Sequence, residues 1–536
     1  MTQDKKRGAD HLVAALIRAS VRHVFALSGN QIMPVFDAAL GTELRLHHTR
    51  HEGATGFMAE AYAQMTGEVG VAMVTAGGGL GNALTALISA TYSQTPILLM
   101  SGDSPVSGDG TGAFQEMDQI GLTRPLTKAS ERITDPAQFP ETVARLLSIA
   151  RDGIPGPVHL SLPDDMLRIE TPAPAPYPEV TLPATDLPSA ATPDLDRLTT
   201  ALDAAQKPLV ILGPLLSDTR YPGLADRLRR ALAAPVFCVE SPRGLNDPML
   251  GRWKEALREA DLVVSLGKPV DVTLGFGKTN NAPNARWHVV TPDARDAGIA
   301  RGNLGDRLDQ LWSADSRAVA QALTEATATA DRAAWVDHVT ALIAAQVPEA
   351  ADSARLDSAS VCHAIQRVAQ DSPNPVVIRD GGEFGQWAQA LIRAPRMLTN
   401  GVSGVIGGGL CYALGARAAD PTASVFTMMG DGTVGFHLPE FETALRENLP
   451  FVAVIGNDHR WNAEYLIQQR DYGSDRTHGC ELSGARYDLA VAALGGFGAH
   501  VTRHEDLEPA LRAALASGLP ACVNVEIETI PAPKFP

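Results

Sequence analysis

Two short apolar runs that each end in an acidic residue constrain the fold of this chain more than any other feature. Residues 424–429 lead into a Gly-Asp-Gly motif centred on Asp431, and residues 450–455 lead into an Asn-Asp pair that ends at Asp458. About 24 residues separate the two motifs, which is enough for a helix that crosses over between parallel strands. Buried parallel strands are continuous apolar runs, and open α/β sheets bind ligands at the carboxyl ends of their strands. The pattern therefore predicts a parallel sheet with both carboxylates at its ligand-binding edge.

Asp431 and Asp458 are hard oxygen ligands of the kind that hold Mg²⁺ together with phosphate oxygens. A Gly-Asp-Gly turn is common, so two unrelated acidic turns are the alternative. The neighbouring residues favour a metal site, because the backbone amides of Gly430 and Gly432 and the amide and hydroxyl of Thr433 can donate to phosphate. Together these residues predict a site for a divalent ion and a phosphorylated ligand.

Composition argues against several classes of function. The chain has 536 residues, of which 45% are hydrophobic, and its formal net charge of −16 argues against binding to nucleic acid or anionic membranes. Its five cysteines are far apart and form no Cys-x-x-Cys motif, so neither a disulfide framework nor a zinc site is expected. The sequence shows no signal-peptide core and no run of transmembrane length. We therefore expect a cytoplasmic protein that acts on a small molecule and has no nucleic-acid or membrane partner.

Two stretches rich in Pro, Ala and Thr, residues 171–193 and 324–352, are predicted to be linkers. They divide the chain into three blocks, and each block alternates short apolar strands with helical patterns. That alternation is typical of parallel α/β layers. The predicted fold is therefore α/β, with three sequential parallel-sheet domains at residues 1–172, 190–330 and 355–536.

The Gly-Asp-Gly motif and the later Asn-Asp pair resemble the signature of thiamine-diphosphate-dependent enzymes. The order of the blocks resembles the acetolactate-synthase-like branch, which implies pyrimidine-binding, central and diphosphate-binding domains in that order. The resemblance also implies that Asp431, Asp458 and the backbone carbonyl of Arg460 bind the metal. Most of the family has Asn at the position of Asp458, so the aspartate adds negative charge close to the diphosphate.

A second motif, Arg50-His51-Glu52, precedes a helix of small residues. From the residues alone, Glu52 could be a carboxylate that interacts with the dipole of a helix N-terminus. The motif is also very similar to the activating-glutamate segment of thiamine-diphosphate enzymes. That similarity implies that Glu52 exchanges a proton with N1′ of the cofactor's aminopyrimidine, and His51 is expected to be structural.

Residues 401–409 are rich in glycine and could simply be a loop that enters a helix. The resemblance implies that the carbonyl of Gly404 accepts a hydrogen bond from the cofactor's 4′-amino group. It also implies that Ile406 supports the bent cofactor from below, a role that suits a stiff β-branched side chain. Glu383 belongs to a motif that ends the first strand of the third block, and we expect it to touch the diphosphate.

Residues on the substrate side give weaker signals. Gln115 lies in a segment very like that of acetohydroxyacid synthases, which implies a hydrogen bond to the reacting group; a glutamine that only holds its own loop is the alternative. Other segments are similar to benzaldehyde lyase, which has histidines where this chain has Gln31 and Asn400. Neutral amides can orient a substrate but cannot act as general bases. Further candidates for the substrate pocket are Asn30, Trp461, Ala463 and Glu464.

The resemblance implies a thiamine-diphosphate- and Mg²⁺-dependent enzyme that breaks or forms a C–C bond next to a carbonyl. The most concrete expectation is decarboxylation of a 2-oxo acid followed by carboligation. The alternatives are a lyase or ligase for 2-hydroxy ketones or 2-hydroxyacyl-CoA, an acyl-CoA decarboxylase, and a catalytically silent homologue.

The resemblance also bears on assembly and on a second cofactor. It implies that the cofactor lies between the first domain of one subunit and the third domain of its partner, so a homodimer is the minimum and a homotetramer is expected. Some relatives hold FAD or ADP in the central domain. We do not favour either here, because residues 241–252 look shorter than the equivalent segment of FAD-binding relatives.

Overall fold

The computed structural model describes residues 5–172, 195–345, 355–400 and 403–533. Within these residues, three parallel β-sheets follow one another along the chain, and helices connect their strands. This arrangement confirms the predicted fold class. The first predicted linker, residues 171–193, lies outside the described residues except for its first two positions, so the predicted domain boundaries stay predictions.

The first part of the chain forms a parallel sheet and a short antiparallel pair. Its strands are β1 (Lys5–Arg7), β2 (His23–Ala26), β3 (Arg45–His48), β4 (Gly70–Val74), β5 (Ile97–Asp103), β6 (Ser130–Arg132), β7 (Val158–Pro163) and β8 (Glu170–Pro172). Its helices are α1 (Gly8–Arg18), α2 (Met33–Ala39), α3 (Glu52–Thr66), α4 (Gly78–Tyr92), α5 (Gln119–Thr123), α6 (Phe139–Arg151) and α7 (Asp164–Arg168). The sheet has the order β3-β2-β4-β5-β7-β6, and β1 pairs with β8. Every residue of β4 and β5 is buried, as expected for strands covered on both faces.

The central part forms a smaller parallel sheet in the order β10-β9-β11-β12-β13. Its strands are β9 (Pro208–Leu212), β10 (Val236–Cys238), β11 (Leu262–Leu266), β12 (Arg286–Val290) and β13 (Leu308–Trp312). Its helices are α8 (Leu195–Ala204), α9 (Leu224–Leu232), α10 (Trp253–Glu259), α11 (Ala294–Leu304), α12 (Ser316–Thr324) and α13 (Ala333–Ile343).

The second predicted linker, residues 324–352, is wrong in part. Residues 333–343 form helix α13, which buries Trp335, Val339 and Leu342 in the core of the central part. These three apolar residues recur at helical spacing and so pack on one face, although the alanine- and threonine-rich sequence around them is typical of a linker. Residues 346–352 of the same stretch lie outside the described residues.

The third part repeats the topology of the first sheet. Its strands are β14 (Pro375–Arg379), β15 (Arg396–Thr399), β16 (Ser424–Gly430), β17 (Val452–Asn457), β18 (Phe497–Val501) and β19 (Ala521–Glu526). Its helices are α14 (Ser358–Asp371), α15 (Gly382–Leu391), α16 (Gly409–Ala419), α17 (Asp431–Val434), α18 (Glu440–Glu447), α19 (Asn462–Tyr472), α20 (Tyr487–Ala493) and α21 (His504–Ala516). The order is β15-β14-β16-β17-β19-β18, with all neighbours parallel. The chain reverses its strand order between β14 and β16, and open α/β sheets bind ligands in the crevice at such a point.

The first and third parts share one hydrophobic core. Helix α3 packs against α16, and both contribute to a cluster that includes Phe57, Met58 and Tyr412. The two backbones approach closely at Gly415, where a Cβ atom would lie 2.3 Å from the carbonyl oxygen of Met58. Among the described residues no helix is long and apolar enough to cross a membrane, and all five cysteines are unpaired.

Candidate functional site

A cavity of about 230 Å³ opens at the carboxyl edge of the third sheet, beside the crevice between β14 and β16. Most of the residues predicted to bind the cofactor, the metal or the substrate line it. They are Glu383, Gly404, Ile406, Gly430, Asp431, Gly432, Thr433, Asp458, Arg460, Trp461, Ala463 and Glu464. The fold thus brings these residues together, although it leaves their individual roles as predictions.

The two predicted metal-binding carboxylates lie at the ends of adjacent strands. Asp431 follows β16 and is buried, while Asp458 follows β17 and is half-buried. Burial raises the pKa of Asp431 to about 6. Burial, and then the nearby charge of Asp431, raise the pKa of Asp458 to about 7. A cation bound between these two acidic groups would favour the ionised form of both.

The donor set fits a divalent ion. Within the described part of the chain, Oδ2 of Asp431 is buried and has no hydrogen-bond partner. No group of three or more His, Cys, Asp and Glu side chains in that part is placed to hold a metal, so backbone, water or phosphate oxygens would complete the coordination. The side chain of Arg460 is engaged elsewhere, because it donates to Thr529 and lies 4.2 Å from the ring centre of Tyr465. Only the backbone of Arg460 is then available for the predicted metal contact.

The Gly-Asp-Gly motif forms the turn between β16 and the short helix α17. Gly430 is extended, and the hydroxyl of Thr433 donates to its carbonyl at 3.1 Å. The hydroxyl of Tyr487 donates to the carbonyl of Asp431 at 2.9 Å and braces the turn from the far side. Gly432 packs under the indole of Trp461, where a Cβ atom would lie 2.8 Å from the ring. The motif is thus held on several sides, with its glycines in the cavity wall.

We expect Gly432→Ala to destabilise the ligand-free protein and Gly430→Ala to leave its stability nearly unchanged. A methyl group on Gly432 collides with Trp461, whereas one on Gly430 meets no atom within 4 Å. Overpacking of this kind costs about 1–3 kcal/mol, against roughly 0.5 kcal/mol for a tolerated change. Urea unfolding of both variants measures the difference. Equal stability of the two would contradict the packing described for this turn.

A buried aspartate holds the glycine-rich loop against the strand edge. The carboxylate of Asp380 accepts hydrogen bonds from the amide of Gly407 and from Nδ2 of Asn400. Burial raises the pKa of Asp380 to about 6. Ile406 rests on Gly381, where a Cβ atom would lie 2.3 Å from its Cγ2 methyl. Asp380 therefore sets the position from which Ile406 and Gly404 reach the cavity; residues 401 and 402 of the predicted loop lie outside the described residues.

Asn400 does not line the cavity, although it was predicted to belong to the substrate pocket. It is buried beneath the glycine-rich loop, where Nδ2 donates to Asp380 and Oδ1 has no partner in the described residues. The position follows the edge strand β15, and the loop folds back over it. The structure therefore places Asn400 among the residues that support the loop.

The cavity is also lined by Arg243, Ser358, Phe384 and Ile527, which were not predicted from the sequence to belong to the site. Phe384 directly follows a predicted site residue and Ile527 directly follows a strand end, so their positions along the chain were a usable signal. Arg243 comes from a loop of the central part. A lone arginine in a loop gives no signal, because only the packing of the central part against the third brings it here.

Glu52, the predicted activating glutamate, is the first residue of α3. His51 caps this helix, because its Nδ1 accepts from the amide of Gly53 at 3.0 Å, which is a structural role. The carboxylate of Glu52 accepts from Nδ2 of Asn82 at 3.0 Å. A Cβ atom on Gly79 would contact both Thr75, at 2.8 Å from Cγ2, and Glu52, at 3.6 Å from Oε1. Glu52 and Thr75 therefore flank the same small space.

Two other predicted residues meet close to Thr75. Gln31 is buried and its Nε2 donates to Oε1 of Gln115 at 2.7 Å. Asn30 lies next to Gln31 and is exposed. The first part of the chain therefore carries its own cluster of predicted catalytic and substrate residues, at the carboxyl ends of β2 and β4.

One chain holds these two groups of residues apart. All residues that line the cavity at the third sheet come from the central and third parts, and neither Glu52 nor Gln115 is among them. Instead, the segment before α3 packs beside α18, where the amide of Arg50 donates to Glu440. In one chain, the candidate acid–base group and the candidate metal ligands thus belong to two separate groups of residues, which we call the two half-sites.

Comparison with known proteins identifies the family. Residues 6–122 match the family model described as the N-terminal TPP binding domain of thiamine pyrophosphate enzymes, and residues 380–525 match the model of their C-terminal TPP binding domain. The chain is also 30% identical, over 98% of its length and 91% of the relative's, to 2-hydroxyacyl-CoA lyase 2 of Bos taurus. It belongs to the thiamine-diphosphate-dependent enzymes.

Other relatives of this thiamine-diphosphate enzyme carry two kinds of name. The 2-hydroxyacyl-CoA lyase 2 of Mus musculus is 32% identical over 92% of this chain and 84% of its own. The acetolactate synthase large subunit IlvG of Mycobacterium tuberculosis is 30% identical over 96% of this chain and 95% of its own. The two family models cover the two half-sites described above, so the predicted family is confirmed and the chain is a lyase or carboligase of this superfamily.

Proposed function

We propose that this enzyme uses thiamine diphosphate and Mg²⁺ to decarboxylate a 2-oxo acid and to join the remaining fragment to a second carbonyl compound. The observation that carries the proposal is the pair of acidic residues Asp431 and Asp458, with a buried unpartnered oxygen, beside a glycine turn at the crevice of the third sheet. That combination of ligands and donors fits a metal–diphosphate group. Similarity to an acetolactate synthase supports the choice of reaction.

The chain's own residues would divide the work between the two half-sites. Asp431, Asp458 and the backbone of Arg460 would hold the ion, while Gly430, Gly432 and Thr433 would donate to phosphate. Ile406 would support the bound ring system, since Asp380 fixes its loop. Thiamine diphosphate, when bound, supplies the nucleophilic carbon and the electron sink that the chemistry needs.

On the other half-site, Glu52 would hold or release a proton at a ring nitrogen of the cofactor. Asn82 donates to this carboxylate and fixes its orientation. Gln115 would hydrogen-bond the substrate. Because Glu52 lies outside the cavity of its own chain, we propose a composite site between two subunits, with a homodimer as the minimum and a homotetramer as the expected assembly.

A second candidate function is cleavage of 2-hydroxyacyl-CoA thioesters. It is supported by the similarity to 2-hydroxyacyl-CoA lyases and by a specific feature of the structure. A larger cavity of about 700 Å³ adjoins the first and shares Asp458 and Arg460 with it. That cavity gives room for a substrate much larger than a small 2-oxo acid.

A substrate screen distinguishes the two functions. Purified protein with thiamine diphosphate and Mg²⁺ is incubated with 2-oxo acids, 2-hydroxy ketones and 2-hydroxyacyl-CoA thioesters, while CO₂ and carbonyl products are followed together. The main proposal expects CO₂ release from a 2-oxo acid together with a new 2-hydroxy ketone or acid. Aldehyde release from a thioester without CO₂ would favour the second function, and turnover that is independent of thiamine diphosphate would contradict both.

A further inference from the structure

A chain of three polar side chains connects the first sheet to Gln115. The hydroxyl of Thr75 donates to Oε1 of Gln31 at 2.6 Å, and Nε2 of Gln31 donates to Oε1 of Gln115 at 2.7 Å. These pairs are 44 and 84 positions apart in sequence, so the fold alone brings them together. We call Thr75, Gln31 and Gln115 the amide relay.

The direction of each hydrogen bond in the amide relay determines the next. Oε1 of Gln31 is the atom that faces Thr75, and because an amide oxygen can only accept, the Thr75 hydroxyl donates to it. The amide of Gln31 then has its NH₂ group toward Gln115, which must accept with Oε1. The NH₂ group of Gln115 is then the donor end of the relay, and it lies beside Gly77, where a Cβ atom would be 3.6 Å from Nε2.

Close packing of the neighbouring residues holds the side chains of the amide relay in place. The side chain of Gln31 is 4% exposed. It packs against Gly102, where an added Cβ atom would lie 2.8 Å from the Cβ of Gln31. Gln115 has a φ of +61°, an unusual conformation that the loop imposes. It packs against Gly77, where a Cβ atom would lie 3.2 Å from that of Gln115. The amide of Gly77 is fixed in turn, because it donates to Oε1 of Gln119 at 3.0 Å.

The relay also lies next to the proposed acid–base group, since Thr75 and Glu52 both face Gly79. We propose that Thr75 is a positioning residue that acts through Gln31 to make Gln115 present N–H donors to the substrate. The substrate is then of a class that offers an acceptor oxygen beside its reacting carbon, such as the carbonyl or carboxylate of a 2-oxo acid. This inference rests on the proposed function, and it adds that this position recognises the substrate without a titratable group.

The hydrogen bonds are tested first in the ligand-free protein by double-mutant cycles in urea. Thr75→Val keeps the shape of the side chain but removes the donor, and Thr75→Ser restores the donor. We expect Thr75→Val to lower the folding equilibrium constant about tenfold in the wild-type background and less than about twofold in a Gln31→Met background. Thr75→Ser should stay within about twofold of wild type. Equal effects of Thr75→Val in both backgrounds would overturn the relay.

The direction of the hydrogen bonds in the amide relay is tested by Gln31→Glu. Glutamate has almost the same shape as glutamine, but its ionised carboxylate can only accept hydrogen bonds. The introduced carboxylate would take the hydroxyl of Thr75 on one oxygen and force Gln115 to turn its NH₂ group inward, so an acceptor would face the substrate. We expect kcat/KM at pH 8 to fall about 100-fold, the usual effect of losing one donor to a developing negative charge. Gln31→Met leaves the side chain of Gln115 free to rotate, and we expect its kcat/KM at pH 8 to fall about tenfold or less.

The pH dependence separates a reversed relay from simple structural damage. Protonation lets the introduced carboxyl group donate to Gln115 again, so the deficit of the Gln31→Glu variant relative to Gln31→Met should be greatest at high pH. A Gln31→Glu variant that is no worse than Gln31→Met at pH 8 would overturn the direction. If wild-type protein neither binds thiamine diphosphate nor turns over a substrate, the proposed function fails, whereas the urea cycles still test the relay.

Discussion

Asp458→Ala should weaken the binding of Mg²⁺ and of thiamine diphosphate together. Asp458 is half-buried beside Asp431, and its removal would leave the proposed ion with one carboxylate from the protein instead of two. Even residues that only support a metal ligand change affinity by 10–100-fold, so loss of a ligand should cost at least about 100-fold. Titration calorimetry measures both affinities. Thiamine diphosphate is titrated at saturating Mg²⁺, and Mg²⁺ is titrated at saturating thiamine diphosphate.

Asp458→Asn is the matched control for this change. Asparagine keeps an oxygen for the ion and removes the second negative charge beside Asp431. We expect its affinity for the metal–cofactor pair to stay within about tenfold of wild type. If the alanine variant bound both ligands normally, Asp458 would not be a metal ligand.

Glu52→Gln should leave cofactor binding nearly intact and remove activation of the cofactor. Glu52 is not among the residues proposed to bind the metal or the phosphates, so its replacement by the equally sized glutamine should leave that part of the site unchanged. A positioned acid–base group contributes typically about 10²–10⁴-fold, and the exchange of the hydrogen at C2 of bound thiamine diphosphate should slow by that factor. Quenched-flow exchange into deuterium oxide, followed by proton NMR, measures it.

Glu141→Gln provides the same chemical change at an unrelated place. Glu141 is also in the first turn of a helix, α6, and it is exposed. We expect its exchange rate to equal that of wild type. Normal exchange in Glu52→Gln would mean that another group activates the cofactor.

The parts of this structure that could be predicted from the sequence are those in which residues adjacent in the chain determine the local structure. Continuous apolar runs predicted the parallel strands, and the motifs that follow them predicted the residues around Asp431 and Asp458. Both signals are short-range, because a strand end and the turn after it are adjacent in the chain. The resemblance to thiamine-diphosphate enzymes added Glu52, for which the local pattern alone favoured a carboxylate that interacts with the dipole of a helix N-terminus.

Long-range packing explains the rest. Helix α13 occupies part of a predicted linker because Trp335, Val339 and Leu342 find a core that the sequence does not display. Asn400 was predicted for the substrate pocket, and the sequence did not reveal its contact with Asp380, which depends on how the glycine-rich loop folds back. The hydrogen bond between Gln31 and Gln115 likewise joins two segments 84 positions apart that only the folded sheet brings together.

We propose that Glu52 of one subunit and the Asp431–Asp458 pair of another form one working site. Exchange at C2 of thiamine diphosphate in a mixed dimer of Glu52→Gln and Asp458→Ala subunits tests it most directly. Each parent homodimer should be nearly inactive, but the mixed dimer has one site in which both halves are intact, so about half of the wild-type rate should return. A mixed dimer that is no more active than its parents would contradict the claim, because each subunit would then need both halves of its own.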